Sequence, residues 1–257
     1  MAQTPAEAFS LQGRVAIVTG GGGGLGHGIC DSLAAAGATV IATGRTTASL
    51  DDTVALVTAN GGNAHARVCD ASDPDEIEGL MKSVANEFGR IDILVNNAAI
   101  YPRHEWTEIT SESWDEVMAT NLKGYFLCAQ AAFPYLKAHG NGRIINIASI
   151  TFFGGWSMLL DYVTSKGGIV GFTRALAREI GPDGVTVNAI SPGAFPTDAE
   201  KIHPNQDAYN QMMLDSQSVK RRGTANDIGN LAVFLSSDGA SFITGQLIQI
   251  DGGWVMH

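Results

Sequence analysis

Short β-branched runs alternate with longer helical stretches along this chain, and that alternation is the strongest constraint on its fold. Residues 14–19 (RVAIVT), 39–43 (TVIAT), 64–69 and 91–95 (IDILV) read as strands, as do 143–147 (RIINI), 185–190 and 247–250. Several are apolar throughout, the pattern of strands covered on both faces. Between them lie helical patterns at 25–36, 48–60, 73–88, 111–138, 161–180 and 225–236. Asp73-Pro74 suits an N-cap and first helical residue, and Gly37 and Gly181-Pro182 suit helix ends. The alternation predicts an α/β fold: a doubly wound parallel sheet of about seven strands with helices on both faces. A mononucleotide-binding first half sets the strand order 3-2-1-4-5-6-7.

Of the 257 residues, 45% are hydrophobic and 16% charged, which supports a large buried core. No linker or repeat divides the chain, so residues 11–257 read as one domain behind a loose arm at 1–10. The long irregular segment 191–205, with Pro192, Pro196 and Pro204, suggests a lid over 191–223. A net charge of −10 disfavours nucleic acid and anionic membranes. The N-terminal MAQTPAEAFS has no signal-peptide pattern, and no apolar run approaches ~20 residues, so a cytoplasmic protein is expected. Cys30, Cys69 and Cys128 form no paired motif and read as reduced core thiols. His27, His65, His104, His139, His203 and His257 show no ligand spacing, so no metal is expected.

Residues 19–26 read TGGGGGLG, between a strand and a helix. Glycines let the backbone approach a diphosphate, and the following helix N-terminus offers free N–H groups. The run fits three spacings at once: Gly20-Gly24-Gly26, Gly20-Gly23-Gly26 and Gly21-Gly23-Gly26. Further along come Asn96-Asn97-Ala98-Ala99, Asn121, Ser149, then Tyr162 and Lys166 as YxxxK, and Pro192-Gly193 with Thr197. This ordered set spans nearly the whole chain and resembles the classical short-chain dehydrogenase/reductase family, a single-domain Rossmann-type fold.

The resemblance implies a phosphate turn of Gly20, Gly23, Gly24, Leu25 and Gly26. It places Asp70 and Ala71 near the adenine and Asn97 and Ala98 beside the ribose. Pro192, Gly193, Phe195 and Thr197 would hold the nicotinamide amide. Ala99 departs from the glycine usual there, a mild change. The second strand ends Thr43-Gly44-Arg45-Thr46, without the acidic residue that would bond ribose hydroxyls and repel a 2′-phosphate. Arg45 suits that phosphate, so NADP(H) is favoured over NAD(H). Gly23 stands where NADP binders of the family often carry a second basic residue.

Tyr162 and Lys166 are four residues apart on a helical pattern, hence on one face. The resemblance makes Tyr162 the acid/base and Ser149 the hydroxyl that binds the substrate oxygen. Lys166 would lower the phenol and hold the nicotinamide ribose, and Asn121 would hold a water leading to Lys166. Bringing a tyrosine from about 10 to about 7 needs ~4 kcal/mol, within reach of one close cation helped by a second. Tyr101, Arg103, His104, Phe152, Phe153, Trp156, Met158, Phe195, His203, Met212 and Met213 are expected around the pocket. They favour a small alcohol/carbonyl substrate with an apolar or cyclic body over an open polyol. Trp156 and Trp254 also suit a subunit interface. The resemblance implies a homotetramer, or a dimer. Alternatives are a 3-oxoacyl-thioester reductase, an extended-type epimerase or dehydratase, and a non-catalytic dinucleotide sensor. Carrier-protein docking is disfavoured because Gly140 and Asp183 stand where basic residues would dock an acidic carrier. Arg45→Asp is expected to weaken NADP(H) binding far more than NAD(H) binding in paired titrations; equal losses contradict the cofactor preference.

Overall fold

The computed structural model describes residues 4–197, 200 and 204–256. His203 and His257, the first three residues of the arm, and 198–199 and 201–203 of the expected lid lie outside them. The strands are β1 (Val15–Thr19), β2 (Thr39–Gly44), β3 (Asn63–Val68), β4 (Ile93–Asn96), β5 (Arg143–Ile147), β6 (Thr186–Pro192) and β7 (Leu247–Ile250). They form one sheet in the order β3-β2-β1-β4-β5-β6-β7, parallel throughout. The expected order and helix-covered architecture are both present.

The helices are α1 (Pro5–Phe9), α2 (Leu25–Ala35), α3 (Thr47–Ala59), α4 (Pro74–Phe88), α5 (Ser111–Met118), α6 (Gly124–Leu136), α7 (Thr151–Gly154), α8 (Leu160–Ile180), α9 (Gln206–Ser216) and α10 (Ala225–Ser236). One buried cluster joins α2, α3 and α10 to one sheet face, through residues such as Val18, Ile29, Leu33 and Ile228. The other joins α4, α6 and α8 to the opposite face, through Ile17, Met81, Leu94 and Ile180. Residues of β1, β4, β5 and β6 are buried throughout, as strands covered on both faces must be.

Three local differences from the sequence reading have physical causes. The expected loose arm contains α1, because Thr4 and Glu7 form a reciprocal capping box. The expected continuous helix at 111–138 is broken by a π-helical turn at Ala119–Lys123. The segment expected as a lid carries a helix the sequence reading did not assign: after the irregular 191–205, Asn205 caps α9 by accepting from the Ala208 N–H at 2.9 Å. Its polar sequence hides that helix from a hydrophobic-periodicity reading.

A buried polar ladder fixes the centre of the sheet. Asn96 on β4 donates to Asn146 Oδ1 on β5 at 2.9 Å, and Asn146 donates to Thr173 Oγ1 on α8 at 3.0 Å. The ladder pins α8 across the sheet, near the C-terminal strand ends where open α/β sheets bind ligands. On the other face, a Cβ at Gly28 of α2 would collide with the backbone of Ala225 at the start of α10. Gly28→Ala should therefore overpack this crossing by up to about 3 kcal/mol, outweighing a helix-propensity gain of about 1 kcal/mol. The expected result is a Tm lowered by roughly 4–8 °C in calorimetry; an unchanged Tm shows that the two helices can separate without cost.

Candidate active site

The glycine run forms a turn whose backbone most side chains could not adopt. Gly20 and Gly24 have φ of +63° and +53°, and a Cβ at Gly20 would meet Ala98 Cα at 2.9 Å. Thr19 ties the turn to the end of β4, its Oγ1 accepting from the N–H groups of Asn97 and Ala98 at 2.9 and 3.1 Å. The Asn97 amide donates to the carbonyls of Thr19 and Gly20 at 2.9 and 3.0 Å, so this side chain builds the turn. Among the described residues, no side chain caps the N-terminus of α2, and none comes within 4 Å of where a Gly23 Cβ would stand. Thr197 Cγ2 lies 3.6 Å from where a Gly24 Cβ would stand, which brings the loop after β6 against the turn. Such a cradle fits the diphosphate of a dinucleotide.

Asp70 accepts from the Ser72 N–H and hydroxyl at 2.9 and 2.7 Å. Burial alone would raise its carboxyl; these two donors and nearby Arg45 outweigh it and leave the carboxyl below its usual range. Ala71 places its carbonyl oxygen where a side chain at Gly124 would stand, so Gly124 gives α6 its close approach.

Ser149 follows β5 by two residues. The pairing with β6 continues past the strand, Ala148 N–H donating to Ile190 O at 2.7 Å and Ile150 N–H to Pro192 O at 3.1 Å. This sets Ser149 beside Pro192 and Gly193. Tyr162 and Lys166 lie in the first two turns of α8. Ser149 lies near enough to the Tyr162 phenol to favour its ionised form, and the Tyr162 ring meets Tyr101 edge-on at 4.7 Å. Lys166 is 1% exposed; its Nζ donates to the Ile147 carbonyl at 2.7 Å and to the Tyr125 hydroxyl at 3.4 Å, and lies 5.5 Å from the Tyr162 ring centre. The three expected catalytic side chains are thus gathered at the C-terminal end of β5.

Asn121 lies in the π-helical turn and is fully buried. Its Oδ1 accepts from the Ile100 N–H at 2.8 Å, and its Nδ2 donates to Ile100 O at 2.9 Å and to Ser165 Oγ at 3.3 Å. Ser165 in turn donates to the Tyr162 carbonyl at 2.7 Å. Asn121 therefore locks the segment after β4 to α8, and a π-turn is a common distortion at functional sites.

The electrostatics depart from the sequence reading. There, Lys166 was expected to pull the phenol down. Here burial dominates and raises Tyr162, helped by Tyr101 and opposed by Ser149. Burial also pushes Lys166 down to about 7. A dry site penalises the charged form of each group. Two expected pocket residues are also turned inward: Phe195 (7% exposed) packs in the core against Gly223, and Met213 (1% exposed) is on the buried face of α9. Trp156 and Trp254 pack against each other within the chain, ring centres 5.3 Å apart and planes tilted by 59°.

Tyr125, Ser165 and the Ile147 carbonyl escaped the sequence reading. Tyr125 lies four residues after Asn121 and could have been found by helical spacing; a backbone carbonyl leaves no signal. Among the described residues, no group of three or more His, Cys, Asp or Glu could hold a metal, and no helix is long and apolar enough to cross a membrane.

A family model described as enoyl-(acyl carrier protein) reductase matches residues 21–255. The chain belongs to the short-chain dehydrogenase/reductase family, and it is an oxidoreductase of the kind that interconverts alcohols and carbonyls. It is 38% identical to the 2-dehydro-3-deoxy-D-gluconate 5-dehydrogenase of Bacillus subtilis, over 97% of each chain. It is 34% identical to the 3-oxoacyl-[acyl-carrier-protein] reductase of Escherichia coli, over 96% of this chain and all of that one. A solved structure from Agrobacterium tumefaciens, assigned as a 2-deoxy-D-gluconate 3-dehydrogenase with bound NADP, is 40% identical with a TM-score of 0.88, covering 96% of this chain and 98% of that one.

The lysine's environment makes a pH prediction. Its value of about 7 in the fold lies below the unfolded value of about 10.4. Between them the unfolded chain binds a proton that the folded chain has shed, so stability rises with pH across that window. Relative to Lys166→Met, the cofactor-free wild type should gain on the order of 4 kcal/mol between pH ~7 and ~10, and nothing below pH ~7, in urea melts. Parallel profiles for the two proteins would rule out a lysine neutralised by burial.

Proposed function

We propose that this protein is an NADP(H)-dependent dehydrogenase of small secondary alcohols and ketones, with Tyr162 as its general acid and base. The observation that carries the reading is the convergence of Tyr162, Ser149 and Lys166 at the end of β5, with the lysine held on the Ile147 carbonyl. When bound, the nicotinamide supplies or accepts the hydride. Tyr162 gives its hydroxyl proton to the carbonyl oxygen in reduction and takes the alcohol proton in oxidation. Ser149 Oγ donates to the same oxygen and fixes its position. Lys166 moves charge rather than substrate: its Nζ, 5.5 Å from the Tyr162 ring centre, would in its protonated form favour the phenolate that oxidation requires. In this fold a positive charge arriving near the phenol is needed to overcome burial. Asn121 keeps this group in register and, in this reading, holds the water that returns protons to Lys166.

Gly20, Gly24, Gly26 and the open end of α2 would hold the diphosphate; Pro192, Gly193 and Thr197 would hold the nicotinamide amide. Arg45, with no acidic residue ending β2, supports NADP(H), as does the NADP in the Agrobacterium relative. Residues 11–257 act as one domain with 191–223 as its lid, in a cytoplasmic homotetramer or dimer.

Tyr101, Phe153 and Trp156 favour a substrate with a compact apolar or ring-shaped body. A second reading, a sugar acid, rests on the gluconate-type relatives and on Arg103. That guanidinium reaches Met158 Sδ at 3.8 Å and lies in electrostatic range of Tyr209, so a carboxylate could meet it. A 3-oxoacyl thioester has a relative's name in its favour, but Gly140 and Asp183 offer no cation for an acidic carrier. A panel of cyclic ketones, sugar acids and 3-oxoacyl thioesters, run with both cofactors, separates these readings. Against the best substrate, Tyr162→Phe should lower kcat roughly 10²–10⁴-fold and leave NADP(H) affinity largely intact; unchanged turnover refutes the assignment.

A further inference from the structure

Thr53 on α3 takes no part in the acid/base group, yet three segments meet on its hydroxyl. The residue is fully buried. Its Oγ1 lies 2.8 Å from the Gly21 carbonyl oxygen, 2.7 Å from His27 Nδ1 on α2 and 3.1 Å from the Ser49 carbonyl oxygen. A hydroxyl has one proton to give and two lone pairs. The Ser49 carbonyl stands one turn back in α3, where it takes the Thr53 N–H as an α-helix requires. The hydroxyl proton therefore belongs to the Gly21 oxygen, which no other donor reaches among the described residues. That leaves His27 Nδ1 to donate to Thr53 and fixes the neutral ring as its Nδ1–H tautomer. The protons run in one order: His27 Nδ1–H to Thr53, then Thr53 O–H to Gly21.

This order decides which way the Gly21–Gly22 peptide points. The Gly21 N–H donates to the Thr43 carbonyl on β2 at 2.9 Å, so both backbone groups of Gly21 are held. A Cβ at Gly21 would stand 3.0 Å from Ala42 Cα, and one at Gly22 would stand 2.6 Å from Ser49 Oγ, so the turn lies directly on β2 and α3. Among the described residues no peptide bond is cis, and in a planar trans peptide the C=O and N–H point opposite ways. Holding the Gly21 oxygen on Thr53 thus turns the Gly22 N–H away from it. Among the described residues that N–H makes no hydrogen bond. A backbone N–H held in this way is a fixed donor for an anion.

We propose that His27 and Thr53 are positioning residues that hold the Gly22 N–H ready for a phosphate of the dinucleotide. The proposal rests on the reading of residues 19–26 as a dinucleotide cradle, and it names what keeps one of the cradle's donors in place. Glycine lets a peptide rotate at little cost, so a fastening from outside the turn is needed. Thr19 and Asn97 fasten the β4 side of the turn, and the His27–Thr53 chain fastens the α3 side. Without the hydroxyl the Gly21 oxygen is buried with no donor; it turns toward another partner and carries the Gly22 N–H with it.

The test uses full-length Thr53→Val, Thr53→Ser, His27→Leu and His27→Asn, the last offering an amide N–H in place of Nδ1–H. NADPH and NADH affinities are read by cofactor fluorescence, cofactor KM and kcat with the best substrate, and the His27 tautomer by nitrogen NMR of the cofactor-free protein at alkaline pH. Thr53→Val should raise the NADPH Kd and KM about tenfold, the effect of weakening one hydrogen bond to a charged group, while kcat at saturating cofactor falls less than about threefold. His27→Leu should raise the Kd about threefold, and Thr53→Ser and His27→Asn should stay within about twofold of wild type, since each keeps its donor. A comparable loss for NADH assigns the donor to the diphosphate and a loss confined to NADPH assigns it to the 2′-phosphate; both support the proposal. A Thr53→Val protein with unchanged Kd and KM, whatever its Tm, overturns it and leaves a purely structural contact. An Nε2–H tautomer, or a Thr53→Ser protein as weak as Thr53→Val, overturns it as well. Should Thr53→Val fail to fold, His27→Leu against His27→Asn decides by the same split. A wild type that binds NADPH but turns over nothing defeats the dehydrogenase reading alone, and the Kd values still decide the proposal; a wild type that binds neither dinucleotide defeats both.

Discussion

A buried ammonium resting on the last carbonyl of β5 is the contact around which this site is organised. Lys166 reaches Ile147 O through the interior, and that single bond fixes the depth and rotation of the first turns of α8 against the sheet. Tyr162, one turn earlier on the same face, is thereby carried to Ser149. The bond exists because a buried N–H donor must find an acceptor, and the end of a parallel strand offers one. Its environment also makes the lysine easy to neutralise. That is a poor property for a structural ion and a useful one for a group that exchanges protons.

The rest of the scaffold holds this contact in place. The Asn96–Asn146–Thr173 ladder anchors α8 farther along, where a slip of register would move the phenol away from β5. Asn121 ties the segment after β4 to Ser165, so the residues flanking the phenol on both sides move as one. The glycine turn, stitched by Thr19 and Asn97, stands at the end of β1, two strands from β5 in the sheet order. Cradle and acid/base group thus face one another across strand ends, and a dinucleotide can span that gap.

The sheet order was legible because strands buried on both faces leave continuous apolar runs, and the β5 run at Arg143–Ile147 coincides with its strand. The convergence of Tyr162, Ser149 and Lys166 was legible because their order and spacing resemble the family's. What escaped notice was held by groups that carry no periodic signal. The α9 helix is polar and stabilised by a side-chain cap. The π-turn depends on one asparagine bonding a distant backbone. The high phenol and low ammonium pKa values come from burial, which no spacing reveals. Phe195 was expected in the pocket because it lies on the long proline-containing segment read as a lid; Gly223 gives its ring room in the core instead.

The account stands on the claim that one substrate oxygen is met at once by the Tyr162 hydroxyl and Ser149 Oγ. The most direct measurement is a crystal structure of the ternary complex with NADP and a non-reacting ketone or alcohol analogue. The account predicts that oxygen within hydrogen-bond distance of both hydroxyls, with Lys166 Nζ beneath the phenol. An analogue bound with its oxygen on other groups, and Tyr162 turned away from it, contradicts the account.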